Sequence, residues 1–181
     1  RRASAIDGLT GLLNKAAFVD AADARLNRPA PMGGFGIVFL ALNRLAGVNH
    51  SLGHATGDRI LRASGERLRM SLRDGDEIGR VGGDEFAALI GGVGQKDDVI
   101  SVAHKLEEVM RRPFEVDGRE LSVTASVGVS VYPDDALDAA TLLDQACTAA
   151  HRVKDRVGGR VGVYSRGMNA GALERLSMEH D

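Results

Sequence analysis

Apolar positions recur along this chain with two spacings, and each spacing predicts one kind of element. A spacing of three and four residues over 14–27, 96–112 and 141–154 predicts three amphipathic helices. The uninterrupted apolar run at 35–42 predicts a strand buried on both faces, since a half-exposed strand would alternate. Because helices and strands alternate, we expect an α/β (α+β) fold with a central sheet flanked by helices.

Two strands adjoin without a helix between them, which predicts that the sheet is mixed. They lie at 76–81 and 86–90 and form a hairpin around residues 82–85. Before them, 52–58 is predicted to be a turn that leads into a helix, with Asp58 as a candidate N-cap. The other predicted elements are strands at 119–132 and 160–164 and an exposed helix over 167–181.

The composition is that of one globular domain. The 181 residues are 44% hydrophobic and 27% charged, which provides for a core and a solvated surface. The formal net charge of −2 gives no sign of a nucleic-acid-binding surface. The single cysteine, Cys147, forms no internal disulfide, and the apolar run at 35–42 is too short to span a bilayer. We therefore expect a cytoplasmic domain with no nucleic-acid polymer as partner and no membrane insertion in this segment, while an anchor elsewhere in the parent protein stays open.

The predicted hairpin carries two glycines followed by two carboxylates, a combination that suits a metal–phosphate site. Gly82 and Gly83 are expected to take positive φ and to let a ligand approach the backbone closely. Asp84 and Glu85 offer hard oxygen ligands, which Mg²⁺ favours together with substrate phosphates. Ordinary solvated turns have the same composition, so residues 80–90 alone leave both interpretations open.

Four stretches, in order along the chain, resemble motifs of one family, the GGDEF diguanylate cyclases. They are DGLTGLLNKAAF (7–18), NHSLGHATGD (49–58), GGDEF (82–86) and ASVGVSVYP (125–133). The resemblance covers residues 6–165 and implies a fold related to nucleotidyl-cyclase and polymerase-palm domains. It also implies the condensation of two GTP molecules into cyclic di-GMP with Mg²⁺, and a possible homodimer, because each domain holds one GTP.

The resemblance implies roles for residues on both sides of the expected site. Asn49 and Asp58 would bind the guanine edge, whose adjacent N–H donors at N1 and N2 suit a carboxylate. The other implied roles are catalysis by Asp84 and Glu85, metal binding by Asp84 and the backbone carbonyl of Leu42, and substrate binding by Gly82, Gly83 and Lys154.

The strand end that should face the hairpin departs from the family pattern D-x-D-x-F-K. Ala41 stands at the first metal-binding aspartate, Asn43 at the second, and Ala46 at the phosphate-binding lysine. An alanine cannot bind Mg²⁺, and the loss of one aimed electrostatic partner costs roughly 10²–10³ in rate. We therefore expect weak or absent Mg²⁺ binding and a weak or inactive enzyme, with Arg44 as a partial substitute for the lysine.

The last helix also departs from the family pattern. Cys147 replaces an aspartate and is interpreted as a small buried residue, and His151 replaces a tyrosine. Gly158 stands at an arginine position, for which Arg156 and Arg160 are candidate substitutes.

An R-x-x-D pattern precedes GGDEF at the offset of the family's inhibitory site. By the resemblance, Arg73 and Asp76 would bind cyclic di-GMP, with Lys105 as a second cation. The alternative is a solvated charge pair at a helix end, followed by an Asp-Gly turn.

The resemblance also predicts the organisation of the parent protein. Residues 1–5 would end an upstream linker, 6–165 would form the GGDEF domain, and 166–181 would be a connector helix towards an EAL phosphodiesterase domain in the same chain. Three functions stay open. They are a degenerate domain that binds GTP and/or cyclic di-GMP and regulates that EAL domain, an active diguanylate cyclase, and a non-binding dimerisation module.

Overall fold

A computed structural model describes residues 4–27, 34–93, 95–154 and 160–166. The helices there are α1 (Lys15–Leu26), α2 (Leu45–Leu52), α3 (His54–Met70), α4 (Lys96–Met110) and α5 (Ala139–Lys154). The strands there are β1 (Gly34–Leu42), β2 (Glu77–Gly82), β3 (Glu85–Val93), β4 (Phe114–Val116), β5 (Arg119–Leu121), β6 (Ala125–Tyr132) and β7 (Val161–Val163). The expected helix over 167–181 lies outside the described residues.

The main sheet has five strands in the order β2-β3-β1-β6-β7, with β1 at its centre. Strands β6 and β7 are parallel, and the other neighbours are antiparallel. The predicted mixed sheet is therefore confirmed. The strand expected at 35–42 is also confirmed, since residues 35–42 are all buried.

The central strand separates two apolar cores. Leu40 and Leu42 project into a core shared with α3 and α4, whereas Phe39 and Ala41 project into a core shared with α1 and α5. This alternation follows from the pleat of a strand, which points successive side chains to opposite faces. Each end of β1 therefore presents alternate residues to different helices.

Three helices lie close to their predicted positions. Helix α1 is capped by Asn14, whose side-chain oxygen accepts a hydrogen bond of 2.9 Å from the backbone N–H of Ala17. Helix α4 begins at Lys96 rather than near Asp97 or Asp98, because the Asp98 carboxylate accepts from the backbone N–H of the preceding N-cap, Gln95. The inward face predicted for α5 is buried as expected.

The segment 52–58 is helical over most of its length, so the predicted turn is wrong. Helix α2 ends at Leu52 and α3 begins at His54, with Gly53 between them at a φ of 92°. Asp58 is consequently inside α3, and its predicted role as N-cap is also wrong. Glycine accepts this φ without strain, so a single residue is enough to break one helix and start the next.

The predicted single strand at 119–132 is two strands in different sheets. Strand β5 pairs with β4 in a separate two-stranded sheet, and β6 joins the main sheet. The chain changes sheets at 122–124, and the Thr124 carbonyl accepts from the backbone N–H of Asn43, which continues the β1–β6 pairing by one position. The alternating apolar pattern continues through this bend and therefore does not reveal it.

Within the described part of the chain, none of the helices combines the length and apolar character required to cross a membrane.

Candidate functional site

The predicted hairpin brings two chain segments together at one edge of the sheet. Gly82 pairs with Glu85 across a two-residue turn, and Glu85 pairs with Ala41 of β1. The backbone N–H of Leu42 donates a 2.9 Å hydrogen bond to the carbonyl of Asp84. We call residues 80–86 the hairpin segment and residues 41–46 the strand-end segment.

The two glycines of the hairpin segment lack one property predicted for them, and their role in substrate binding stays a prediction. Neither Gly82 nor Gly83 has a positive φ, so that expectation is wrong. A Cβ atom on Gly82 would lie 2.1 Å from Oε1 of Glu85, whereas one on Gly83 would meet nothing within 4 Å. Gly82 therefore makes room for the Glu85 carboxylate.

Arg80 ties the hairpin turn to the N-terminal part of the domain. Its Nη2 donates to the carbonyl of Gly83 at 2.8 Å, and its Nη1 donates to the carboxylate of Asp7 at 3.2 Å. Burial acts to raise the pKa of Asp7, but hydrogen bonds from Thr10 and the charge of Arg80 outweigh it, so this pKa lies below its usual value. Sequence reasoning assigned no role to Arg80 or Asp7, although Asp7 begins the motif stretch 7–18 and Arg80 lies two residues before GGDEF.

The strand-end segment offers no carboxylate to the hairpin. Ala41 is only 4% exposed and lies on the same face of the sheet as Glu85. The Asn43 amide already bonds on both sides, donating to Thr124 Oγ1 at 2.9 Å and accepting from Ser126 Oγ at 3.1 Å. Ala46 is exposed on α2, so it presents no cation where the family has a lysine.

The donors at this edge fit Mg²⁺ poorly. A magnesium ion needs several oxygen ligands in near-octahedral geometry. The Asp84 carboxylate and the Leu42 carbonyl remain, but the facing position is a buried alanine. No reaction step is therefore assigned to Mg²⁺, and the magnesium roles of Asp84 and Leu42, like the catalytic roles of Asp84 and Glu85, stay predictions.

The two residues expected to bind guanine lie on adjacent helices. Asn49 is on α2 and Asp58 on α3, and both are half-buried. A Cβ atom on Gly57 would lie 1.7 Å from Oδ1 of Asn49, so the amide rests directly against the residue before Asp58. This Oδ1 atom is buried and has no hydrogen-bond partner among the described residues. The guanine-binding role of the pair stays a prediction, supported by this unsatisfied acceptor.

The end of α5 points to the same edge of the sheet. A Cβ atom on Gly128 of β6 would lie 2.0 Å from the Ala146 carbonyl, and Ser130 Oγ donates to the Leu142 carbonyl at 2.6 Å. Helix α5 therefore runs antiparallel to β6, and its last residue, the exposed Lys154, lies towards the hairpin. Gly158, which stands at the family's arginine position, lies outside the described residues. Of the two candidate substitutes for that arginine, Arg156 also lies outside them, and Arg160 is exposed.

Two residues of the expected inhibitory site, Arg73 and Asp76, follow the end of α3, and the third, Lys105, bonds to the same segment. Arg73 donates to the Gly91 carbonyl at 2.8 Å, and its Nε lies 3.5 Å from the carboxylate of Asp76, whose side chain is only 4% exposed. Lys105 donates to the Ser71 carbonyl at 2.8 Å. Arg73 and Asp76 form the charge pair of the alternative interpretation, and the cyclic di-GMP role of Arg73, Asp76 and Lys105 stays a prediction.

Comparison with known proteins identifies the family. The family profile "Diguanylate cyclase, GGDEF domain" matches residues 4–160. The chain is 36% identical over 182 residues to the cyclic di-GMP phosphodiesterase NbdA of Pseudomonas aeruginosa, a match that covers 100% of this chain and 23% of NbdA. This chain therefore spans under a quarter of that relative.

Two solved structures share the fold. A structure comprising only the GGDEF domain of TpbB (YfiN) from Pseudomonas aeruginosa has a TM-score of 0.87 at 30% identity, covering 93% of this chain and 99% of that one. The GGDEF domain of DgcB from Caulobacter crescentus, in complex with c-di-GMP, has a TM-score of 0.76 at 26% identity, covering 90% and 97%. The chain belongs to the GGDEF diguanylate cyclase family, and its fold is that of a GGDEF domain of cyclic di-GMP signalling.

Proposed function

We propose that this domain is a degenerate GGDEF domain that binds GTP and/or cyclic di-GMP and regulates a neighbouring EAL phosphodiesterase domain. The observation that carries the proposal is the buried Ala41 opposite Glu85. Condensation of two GTP molecules requires stabilisation of phosphate charge by a metal and by cations. Here the strand-end segment offers an apolar side chain instead, and Ala46 adds no charge.

Retention of the base site favours a binding role over a purely structural one. A buried acceptor without a partner costs roughly 1–3 kcal/mol, so the free Oδ1 of Asn49 is a cost that ligand binding can offset. Guanine offers N–H groups at its N1 and N2 edge, and the Asp58 carboxylate is one residue beyond Gly57. This unsatisfied acceptor favours a nucleotide-binding domain over a dimerisation module that binds no nucleotide.

The regulatory part of the proposal rests on the relatives. NbdA is named a cyclic di-GMP phosphodiesterase, and the aligned region is 23% of its length, so most of that protein lies outside the match. DgcB was crystallised with c-di-GMP. Arg73, Asp76 and Lys105 would together supply two cations and a carboxylate, a set suited to phosphate and guanine groups.

Calorimetry with GTP and with cyclic di-GMP tests the binding proposal. We expect GTP binding that is lost in Asp58→Ala and cyclic di-GMP binding that is lost in Arg73→Ala. Glu66→Ala and Arg62→Ala are matched controls, because both side chains are exposed elsewhere on α3. If the folded domain binds neither GTP nor cyclic di-GMP, the result would favour the dimerisation module and overturn the proposal.

The regulatory proposal needs the full-length chain. Cyclic di-GMP hydrolysis measured with and without GTP should differ by about fivefold or more, since allosteric coupling is typically 1–3 kcal/mol. The difference should vanish in Asp58→Ala and persist in Glu66→Ala. If GTP does not change the rate of cyclic di-GMP hydrolysis, the regulatory part of the proposal is wrong and only the binding part remains.

A further inference from the structure

Three metal-binding side chains of different chemistry converge beside the hairpin turn. Cys147 and His151 are four residues apart on α5, so both project from one face of that helix. Glu85, the first residue of β3, lies opposite them. One ligand atom from each of the three lies within 4.8 Å of the others, and no other such group occurs in the described part of the chain.

The donors indicate which ion would bind. A thiolate, an imidazole and a carboxylate are a typical Zn²⁺ ligand set, whereas Mg²⁺ prefers oxygen alone. Donors around a tetrahedral zinc ion lie about 3.5 Å apart, so the side chains need to close by about 1 Å. Cys147 and Glu85 are half-buried and His151 is exposed, which leaves an approach from solvent.

The surroundings hold two of these side chains in place. The His151 ring packs against Phe39 with 6.3 Å between ring centroids, and Cys147 packs against the same core. Burial, with the charges of Glu85 and Asp144, raises the pKa of the Cys147 thiol, while Lys15 acts in the opposite direction. Zn²⁺ would therefore have to displace the thiol proton on binding, so its affinity should rise with pH.

We propose that Glu85, Cys147 and His151 form a Zn²⁺ site that links α5 to the hairpin turn. Three protein ligands leave a fourth position for water or an anionic ligand. The site is separate from the family's magnesium position, because Ala41, Leu42 and Asp84 take no part in it. The ion would bind the carboxylate of Glu85. The position of this side chain in the hairpin segment would therefore depend on the availability of zinc.

The single cysteine makes the proposal unusually easy to test. Cobalt(II) binds zinc sites and gives an intense thiolate-to-metal absorption, which in this chain can come only from Cys147. We expect one cobalt or zinc ion per chain under reducing conditions, with this absorption present. Zinc should displace cobalt, and about a hundredfold excess of Mg²⁺ should not, because a thiolate and an imidazole disfavour it.

Variants separate the site from adventitious binding. Cys147→Ser should abolish the thiolate absorption, and His151→Phe and Glu85→Gln should weaken zinc binding by about tenfold or more. His151→Phe retains a ring against Phe39, so the helix should remain folded by circular dichroism. His104→Ala is the matched control, because His104 is an exposed histidine on α4.

Three results would overturn the proposal. They are the absence of the thiolate absorption in folded wild-type protein, zinc affinity unchanged in Cys147→Ser, and a stoichiometry of one ion per two chains. Displacement of zinc by Mg²⁺ at similar concentration would also count against it, since that would indicate binding by carboxylates alone.

Discussion

The hairpin segment and the strand-end segment face each other across one sheet edge, yet only the first retains its family residues. The hairpin segment has the complete GGDEF sequence and is held by Arg80. The strand-end segment has an alanine where a metal ligand is expected, and its Asn43 amide is used in internal hydrogen bonds. A motif can therefore identify a family, while our proposal for the activity rests on the segment opposite.

The largest effect is expected from putting a carboxylate back into the strand-end segment. Ala41→Asp would bury a second negative charge beside Glu85, and we expect the free energy of unfolding to fall by about 3 kcal/mol without a cation. Ala41→Asn has nearly the same shape without the charge and is the control. Urea denaturation should show that Mg²⁺ restores part of the loss in the aspartate variant only; equal losses in both variants would contradict this.

The next effect concerns the internal bonds that Asn43 makes. Asn43→Ala removes one hydrogen bond to Thr124 and one to Ser126, and we expect a loss of about 2 kcal/mol in unfolding free energy. Asn43→Asp restores the family residue and still accepts from the Ser126 hydroxyl, so its loss should be smaller. If both variants have the same midpoint of urea unfolding as wild type, these hydrogen bonds do not stabilise the strand-end segment.

A smaller effect distinguishes the two glycines of the hairpin segment. Gly82→Ala forces the Glu85 carboxylate to move and should cost about 1 kcal/mol. Gly83→Ala meets open space and should be close to neutral in the same thermal or urea unfolding measurement. Equal costs would show that backbone conformation, and not room for Glu85, explains the glycine pair.

The smallest effect is a pH dependence confined to the hairpin side. The pKa of Asp7 is lowered in the folded state, so its stabilising contribution is complete above the usual aspartate value of about 3.8 and is lost as pH falls through the lower folded value. The contribution is expected to be under about 1 kcal/mol, because the pair is partly solvated. The unfolding free energy of Asp7→Asn should fall less steeply with decreasing pH than that of wild type. Identical slopes would show that Asp7 does not contribute to the pH dependence of stability.

Much of the fold could be predicted from the sequence, because periodicity records which face of an element is buried. The central strand at 35–42 and the helix at 141–154 followed from that signal alone. The break at Gly53 and the change of sheet at 122–124 did not, because the first depends on the backbone conformation of one glycine and the second on strand pairing, and neither alters the apolar pattern.

The candidate site was predictable in part. The substitutions at Ala41 and Ala46 were readable by position against the motif. The anchoring of the hairpin by Arg80 and Asp7 joins residues 73 positions apart in the chain, and the approach of Cys147 and His151 to Glu85 depends on how α5 packs. The spacing of Cys147 and His151 along a predicted helix could have indicated that the two side chains share a face. Nothing in the sequence indicated that Glu85 of β3 would lie opposite them.

Turnover of GTP tests the central claim most directly. The purified chain is incubated with GTP and Mg²⁺, and the nucleotides are separated and quantified. We predict no cyclic di-GMP above the background of Asp84→Ala, because the strand-end segment lacks both the carboxylate and the lysine of an active site. Robust cyclic di-GMP synthesis by the native sequence, abolished in Asp84→Ala, would contradict the account and show an active diguanylate cyclase.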